Sequence, residues 1–84
     1  SDCEIEEFKL TENMEQIQRF TDQTDKKYIF SRTEGAQLLA IKVSGKLEGN
    51  PQNNFILSPG MILIFLGSKE QLERIRSSLC EILV

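Results

Sequence analysis

The chain has 84 residues, of which 39% are hydrophobic and 27% charged, and its formal net charge is −3 at neutral pH. This length predicts one small domain with a thin core, for which burial against a partner is a second source of stability. The acidic balance argues against non-specific nucleic-acid binding, and the absence of histidine removes the commonest general base and transition-metal ligand.

The N-terminal part of the sequence predicts a strand followed by a short helix. Apolar residues alternate loosely with charged ones over residues 4–10, which is typical of a strand with one solvated face. Asn13 and Gln16 have the spacing of a capping box, and apolar residues recur every three positions in the segment that follows. We therefore expect a helix over residues 14–21, ending in the polar stretch 22–27.

The middle of the chain predicts two more strands and several turns. The segment "KYIFSR" (27–32) is rich in aromatic and β-branched residues, and "AQLLAIKV" (36–43) is the next strand, with a turn at Gly35 between them. Gly45, Gly49, Asn50 and Pro51 are turn residues that close this strand. A brief extended piece is expected at 55–57, before the Pro-Gly turn at 59–60.

The last third of the chain predicts a central strand and an amphipathic helix. The run "MILIFL" (61–66) is apolar on both faces and needs cover on both, so we expect it at the centre of the sheet. Ser68 and Gln71 predict a capped helix. Its apolar stripe is Leu72, Ile75, Leu79 and Ile82. The expected fold is α+β: a small, curled, mostly antiparallel β-sheet (a pseudo-barrel) capped by a C-terminal amphipathic helix.

No group in the sequence is placed for catalysis, and we expect no enzyme activity. The serines have no histidine base and no GxSxG motif, so we interpret them as turn and cap residues. Cys3 and Cys80 lie near opposite ends of the chain. We expect two free thiols in a reducing cytosol rather than the single disulfide that they could form.

Two charged regions leave a binding site open. Five glutamates crowd the first fifteen residues; we favour a solvated acidic face over a cation site, because no calcium-loop pattern is present, and we assign no metal ligand. Lys42, Lys46 and the backbone amides of "EGNP" form either an ordinary hairpin connection or an anion site.

Residues 35–80 carry an ordered series of short motifs. An apolar strand (38–41) ending near Gly45 is followed by Asn50-Pro51, an apolar–Pro–Gly turn (57–60), a hydrophobic strand (62–66), Gly67-Ser68 and a helix that opens with Glu-Gln-Leu (70–72). Each motif is unspecific alone. The series in this order resembles the RCK C-terminal domain, also called TrkA-C.

Two positions depart from that family's pattern. Members usually have an acidic residue directly after the Pro-Gly turn, where this chain has Met61. Members that bind cyclic di-AMP use an arginine upstream of the glycine together with the Asn-Pro pair. Here the upstream region reads "KVS" (42–44), so Asn50 and Pro51 carry over and the arginine does not.

The resemblance implies one regulatory domain over residues 1–84, belonging to a potassium channel or to a potassium or other cation transporter. Such domains form homodimers and bind a small regulatory ligand, an ion or a nucleotide, near the seam. They act from the cytoplasmic face of the cell membrane on a membrane-embedded channel or transporter subunit or domain. The chain begins at Ser1 rather than Met, which we interpret as a piece of a longer transport protein.

The expected site residues combine this match, which contributes Asn50 and Pro51, with the lysines of the hairpin. We place the dimer interface at Leu38, Leu39 and Ile41, and the ligand near Lys42, Lys46, Asn50 and Pro51. Two alternatives stay open. One is the same module attached to an anion transporter, an antiporter or a transcription regulator; the other is a purely structural oligomerisation domain without a ligand.

Overall fold

The computed structural model describes residues 3–23, 35–51 and 56–84, which form four strands and two helices. These elements are β1 (Cys3–Lys9), α1 (Met14–Gln23), β2 (Gln37–Val43), β3 (Lys46–Gly49), β4 (Ile62–Ser68) and α2 (Lys69–Ser78). The strand predicted at 27–32 lies outside the described residues. The predicted strands at 4–10 and 36–43 and the helix at 14–21 are confirmed within two residues at their ends. The C-terminal helix is confirmed at its start but ends at Ser78, so Leu79 and Ile82 of its predicted stripe follow it in a turn.

The strands form one antiparallel sheet in the order β1-β4-β2-β3, so the α+β class is confirmed. The apolar strand β4 is central, as predicted, because it pairs with β1 on one side and with β2 on the other. Over the described residues the sheet stays open between β1 and β3 and does not close into a barrel.

Strand β3 is not among the expected strands, because Gly45, Gly49, Asn50 and Pro51 predict turns around it. The turn itself is only two residues long: Ser44 and Gly45 both have positive φ, at 51° and 77°. This is the geometry of a tight hairpin connection, and it sends Lys46–Gly49 back along β2. The brief strand predicted at 55–57 is wrong over its described part, because Ile56 and Leu57 belong to no strand.

The core lies between one face of the sheet and the two helices. Phe8 of β1 and Phe65 of β4 meet edge to face, with ring centroids 5.8 Å apart. The predicted apolar stripe of the last helix is buried against these rings. The core residues are Phe8, Leu10, Ile17, Ala36, Ile41, Leu57, Met61, Leu63, Phe65, Leu72, Ile75, Leu79 and Ile82.

Both helices begin at the predicted caps. The side-chain Oδ1 of Asn13 accepts hydrogen bonds from the backbone N–H groups of Glu15 (2.9 Å) and Gln16 (3.3 Å). At the start of α2 the Ser68 hydroxyl accepts from the Gln71 N–H, and the Gln71 side-chain oxygen accepts from the Ser68 N–H. This reciprocal capping box satisfies two donors that a helix N-terminus otherwise leaves unpaired.

Candidate association face

The central strand β4 presents its two faces to different environments. Leu63, Phe65 and Gly67 are buried, whereas Ile62, Ile64 and Leu66 between them are half-buried. Because side chains alternate along a strand, the first set faces the core and the second set faces away from it. The second face of this strand is therefore apolar and only partly covered.

The register of the sheet shows which residues surround these three side chains. In β1, Ile5, Glu7 and Lys9 stand opposite Leu66, Ile64 and Ile62 respectively. In β2, Gln37, Ala40 and Lys42 stand opposite the same three residues, and Leu47 and Gly49 of β3 stand opposite Lys42 and Ala40. We call this surface the outer face; it comprises Cys3, Ile5, Glu7, Lys9, Gln37, Ala40, Lys42, Leu47, Gly49, Ile62, Ile64, Leu66 and Ser68.

The outer face has an apolar centre and a polar rim. The isoleucines of β4 occupy the centre, and Ile5 and Leu47 extend the apolar surface toward the two edges with 64% and 63% of their surface exposed. Glu7 and Lys9 border it on β1, and Lys42 lies between Ile62 and Leu47. An apolar centre flanked by charged groups is the usual composition of a protein–protein contact.

The predicted interface residues divide between the core and the surface. Ile41 is 3% exposed and belongs to the core, and Leu38 packs against the core. Both side chains therefore face the interior of the domain and not the predicted interface. Leu39 is half-buried and lies at a β-bulge between Leu38 and Ala40. Its carbonyl accepts a hydrogen bond from the N–H of Asn50 (2.8 Å), which ties the predicted Asn-Pro turn to β2.

The predicted ligand residues do not converge on one surface. Lys42 stands opposite Leu47, and Lys46 stands opposite Val43 in the next pair of the hairpin. Because successive pairs alternate between faces, Lys42 lies on the outer face and Lys46 on the other side of the sheet. Asn50 has a positive φ of 53° and is exposed, and Pro51 beside it is half-buried.

Glu6 and Arg76 interact with neighbouring side chains, whereas the two cysteines are exposed. Glu6 pairs with Arg76 of α2 at 3.3 Å, and the guanidinium of Arg76 lies 4.9 Å from the centre of the Phe8 ring. Cys3 and Cys80 are both exposed free thiols.

Within the residues that the structure describes, no group of three or more acidic or thiol side chains is arranged to hold a metal ion. In that same part of the chain, neither helix is long and apolar enough to cross a membrane.

Reasoning from the sequence missed the residues that build the outer face, although it identified their strand. The signal was present in the unbroken run at 61–66, which needs cover on both faces. The helices cover one face. What the sequence did not show is which apolar residues share the other face with Ile62 and Ile64, because that depends on the pairing register.

No family model, curated protein or solved structure matches this chain.

Proposed function

We propose that this chain is a ligand-sensing dimerisation domain that regulates a potassium channel or a potassium or other cation transporter. The observation that supports self-association is the outer face, where the central strand leaves Ile62, Ile64 and Leu66 half-buried beside the exposed Ile5 and Leu47. Covering that surface with a second copy supplies apolar burial that a small domain lacks by itself.

The size of the outer face suits a reversible contact. Three strands of seven residues and one of four, at about 3.3 Å per residue and about 4.8 Å between strands, give a footprint of roughly 400 Å² per copy. This is below the roughly 800 Å² that each partner contributes to a standard stable interface. A dimer that uses this face alone is therefore concentration-dependent, and a ligand that prefers one arrangement of the two copies shifts the equilibrium by its differential affinity.

The link to ion transport comes from the ordered motifs of residues 35–80 and not from the outer face. In the fold these motifs span β2, the turn at Pro59-Gly60, β4 and the capped start of α2. A regulatory domain of this kind has no need of a catalytic group. We propose that it acts at the cytoplasmic side of the membrane on a membrane-embedded channel or transporter subunit or domain.

The first test measures association by sedimentation velocity over a dilution series. Ile64→Asp places a charge at the centre of the outer face, and two such charges oppose one another in a symmetric dimer. We expect the wild-type chain to dissociate on dilution and Ile64→Asp to stay monomeric at concentrations at least about 100-fold higher, since each copy loses roughly 1.5–3 kcal/mol of apolar burial.

Met14→Asp is the matched control, because Met14 is an apolar residue with 52% exposure on α1, which packs on the core side of the sheet. This variant should associate like the wild type, and circular dichroism should show all three chains equally folded. A wild-type chain that is monomeric at every concentration would overturn the proposal.

The second test asks whether a ligand acts at all. Thermal unfolding of the wild-type chain is recorded with potassium, sodium, calcium and adenine nucleotides over a range of concentrations, because a ligand of the native state raises the melting temperature. A concentration-dependent rise supports the sensing role. A dimer that none of these probes stabilises would favour the purely structural oligomerisation domain.

A further inference from the structure

We infer that two copies pair through their outer faces in one particular register, in which Glu7 of each copy lies over Lys9 of the other. This inference rests on the proposed self-association and adds its geometry. It depends on the charges and on the large and small side chains that the sheet register brings into two neighbouring rows.

The two rows run across all four strands. One consists of Glu7, Ile64, Ala40 and Gly49, and the next consists of Lys9, Ile62, Lys42 and Leu47. Residues two apart on a strand are about 7 Å apart, so the rows are adjacent on the outer face. A two-fold axis can lie in the plane between the two sheets, perpendicular to β4 and midway between the two rows. Rotation about this axis places the Glu7 row of each copy over the Lys9 row of the other.

This placement makes the charges complementary. Glu7 of one copy lies over Lys9 of the other, and symmetry repeats the pair, so two ion pairs form at the β1 side of the contact. Within the described part of the chain, Lys9 pairs with the exposed carboxylate of Glu12 at 3.9 Å, which is a weak competitor. Ile64 and Ile62 then pack against each other across the centre.

The same placement also matches shapes at the opposite side. Leu47, which is 63% exposed, lies over Gly49 of the second copy, and Gly49 has open space where a side chain would stand. Lys42 lies over Ala40 of the second copy and extends its amine toward the rim. Large residues therefore meet small ones on β2 and β3, which permits close approach of the sheets.

Two other symmetric placements bring like charges together. An axis along β4 puts Lys9 over Lys42 of the second copy, because the two lysines flank Ile62 in the same row. An axis perpendicular to β4 that passes through the row of Ile64 puts Glu7 over Glu7. Like charges in contact disfavour both arrangements. The midway axis avoids both clashes.

The test uses charge reversal and a mixing experiment. Lys9→Glu makes positions 7 and 9 both acidic, and Glu7→Lys makes them both basic. Two copies of either variant therefore repel each other across the contact. We expect each homodimer to be at least about tenfold weaker than the wild type at low salt. An equimolar mixture of the two variants should form heterodimers, and the double variant Glu7→Lys/Lys9→Glu should return to within about threefold of the wild-type dissociation constant.

The outcomes separate this inference from the proposed function. Singly reversed variants that dimerise like the wild type, or a mixture that fails to associate, would overturn the register while leaving self-association intact. A monomeric wild type would remove both. Raising the salt concentration to 1 M should shrink the difference between the variants and the wild type, since exposed charges are then screened beyond about 3 Å.

Discussion

Replacing Gly67 by alanine tests how closely the last helix packs on the sheet. Gly67 is buried on the core face of β4. A Cβ atom added there would lie 2.9 Å from the Cβ of Ala36 and 3.0 Å from the side-chain oxygen of Gln71. That oxygen accepts the Ser68 N–H at 2.8 Å in the capping box, so the new methyl group presses on the core and on the helix start at once.

The expected loss follows from three opposing effects. Inserting a methyl group into a packed site costs about 1–3 kcal/mol, and disturbing the cap adds up to about 1 kcal/mol. Alanine in place of glycine stabilises the folded state by about 0.4–1 kcal/mol, because it restricts the conformations of the unfolded chain. We expect a net loss of about 2 kcal/mol in the free energy of unfolding. For a domain of this size that lowers the melting temperature by roughly 8–16 °C and the urea midpoint by roughly 1–2 M.

Urea and thermal unfolding, followed by circular dichroism at 222 nm, measure this loss. Gly49→Ala is the matched control, because Gly49 also lies in a strand but its added Cβ meets no atom within 4 Å. In dilute, monomeric protein, where the second copy does not cover Gly49, that variant should stay within about 0.5 kcal/mol of the wild type. A second substitution, Ala36→Gly, should recover part of the loss in the Gly67→Ala chain by giving the methyl group room. If Gly67→Ala and Gly49→Ala proved equally stable, the close packing of α2 on β4 would be refuted.

Two further predictions concern the cap and the two faces of the sheet. Ser68→Ala removes the hydroxyl that accepts the Gln71 N–H and should lower the unfolding free energy by about 1 kcal/mol, whereas Ser68→Asp should retain most of it; equal loss in both would argue against the capping box. Leu63→Ala and Leu47→Ala delete the same atoms at 0% and 63% exposure. In urea titrations of dilute protein, Leu63→Ala should cost about 2–5 kcal/mol and Leu47→Ala under about 0.5 kcal/mol, and similar losses would contradict the assignment of the faces.

The local elements could be predicted because their signals lie within a few residues of one another. The Asn13 cap, the Ser68–Gln71 capping box, the 3–4 spacing of the last apolar stripe and the six-residue apolar run each mark a short segment, and the structure contains them at the expected places. At Asn13 the box is not completed by Gln16, because the Asn13 N–H donates to the Thr11 hydroxyl. Strand β3 is the exception. Its four residues are all exposed, so no apolar pattern marks them, and only pairing with β2 makes them a strand.

The sequence by itself determined the α+β class, the central position of β4 and the need for cover on both of its faces. Only the tertiary structure decided which residues supply the second face. The bulge at Leu39 inserts one extra residue into β2, so Leu38 and Ile41 both point to the core although strict alternation would place them on opposite faces. A shift of one residue in the pairing register exchanges the two faces of a strand. The spacing of apolar and polar residues along the chain reveals neither a bulge nor that register.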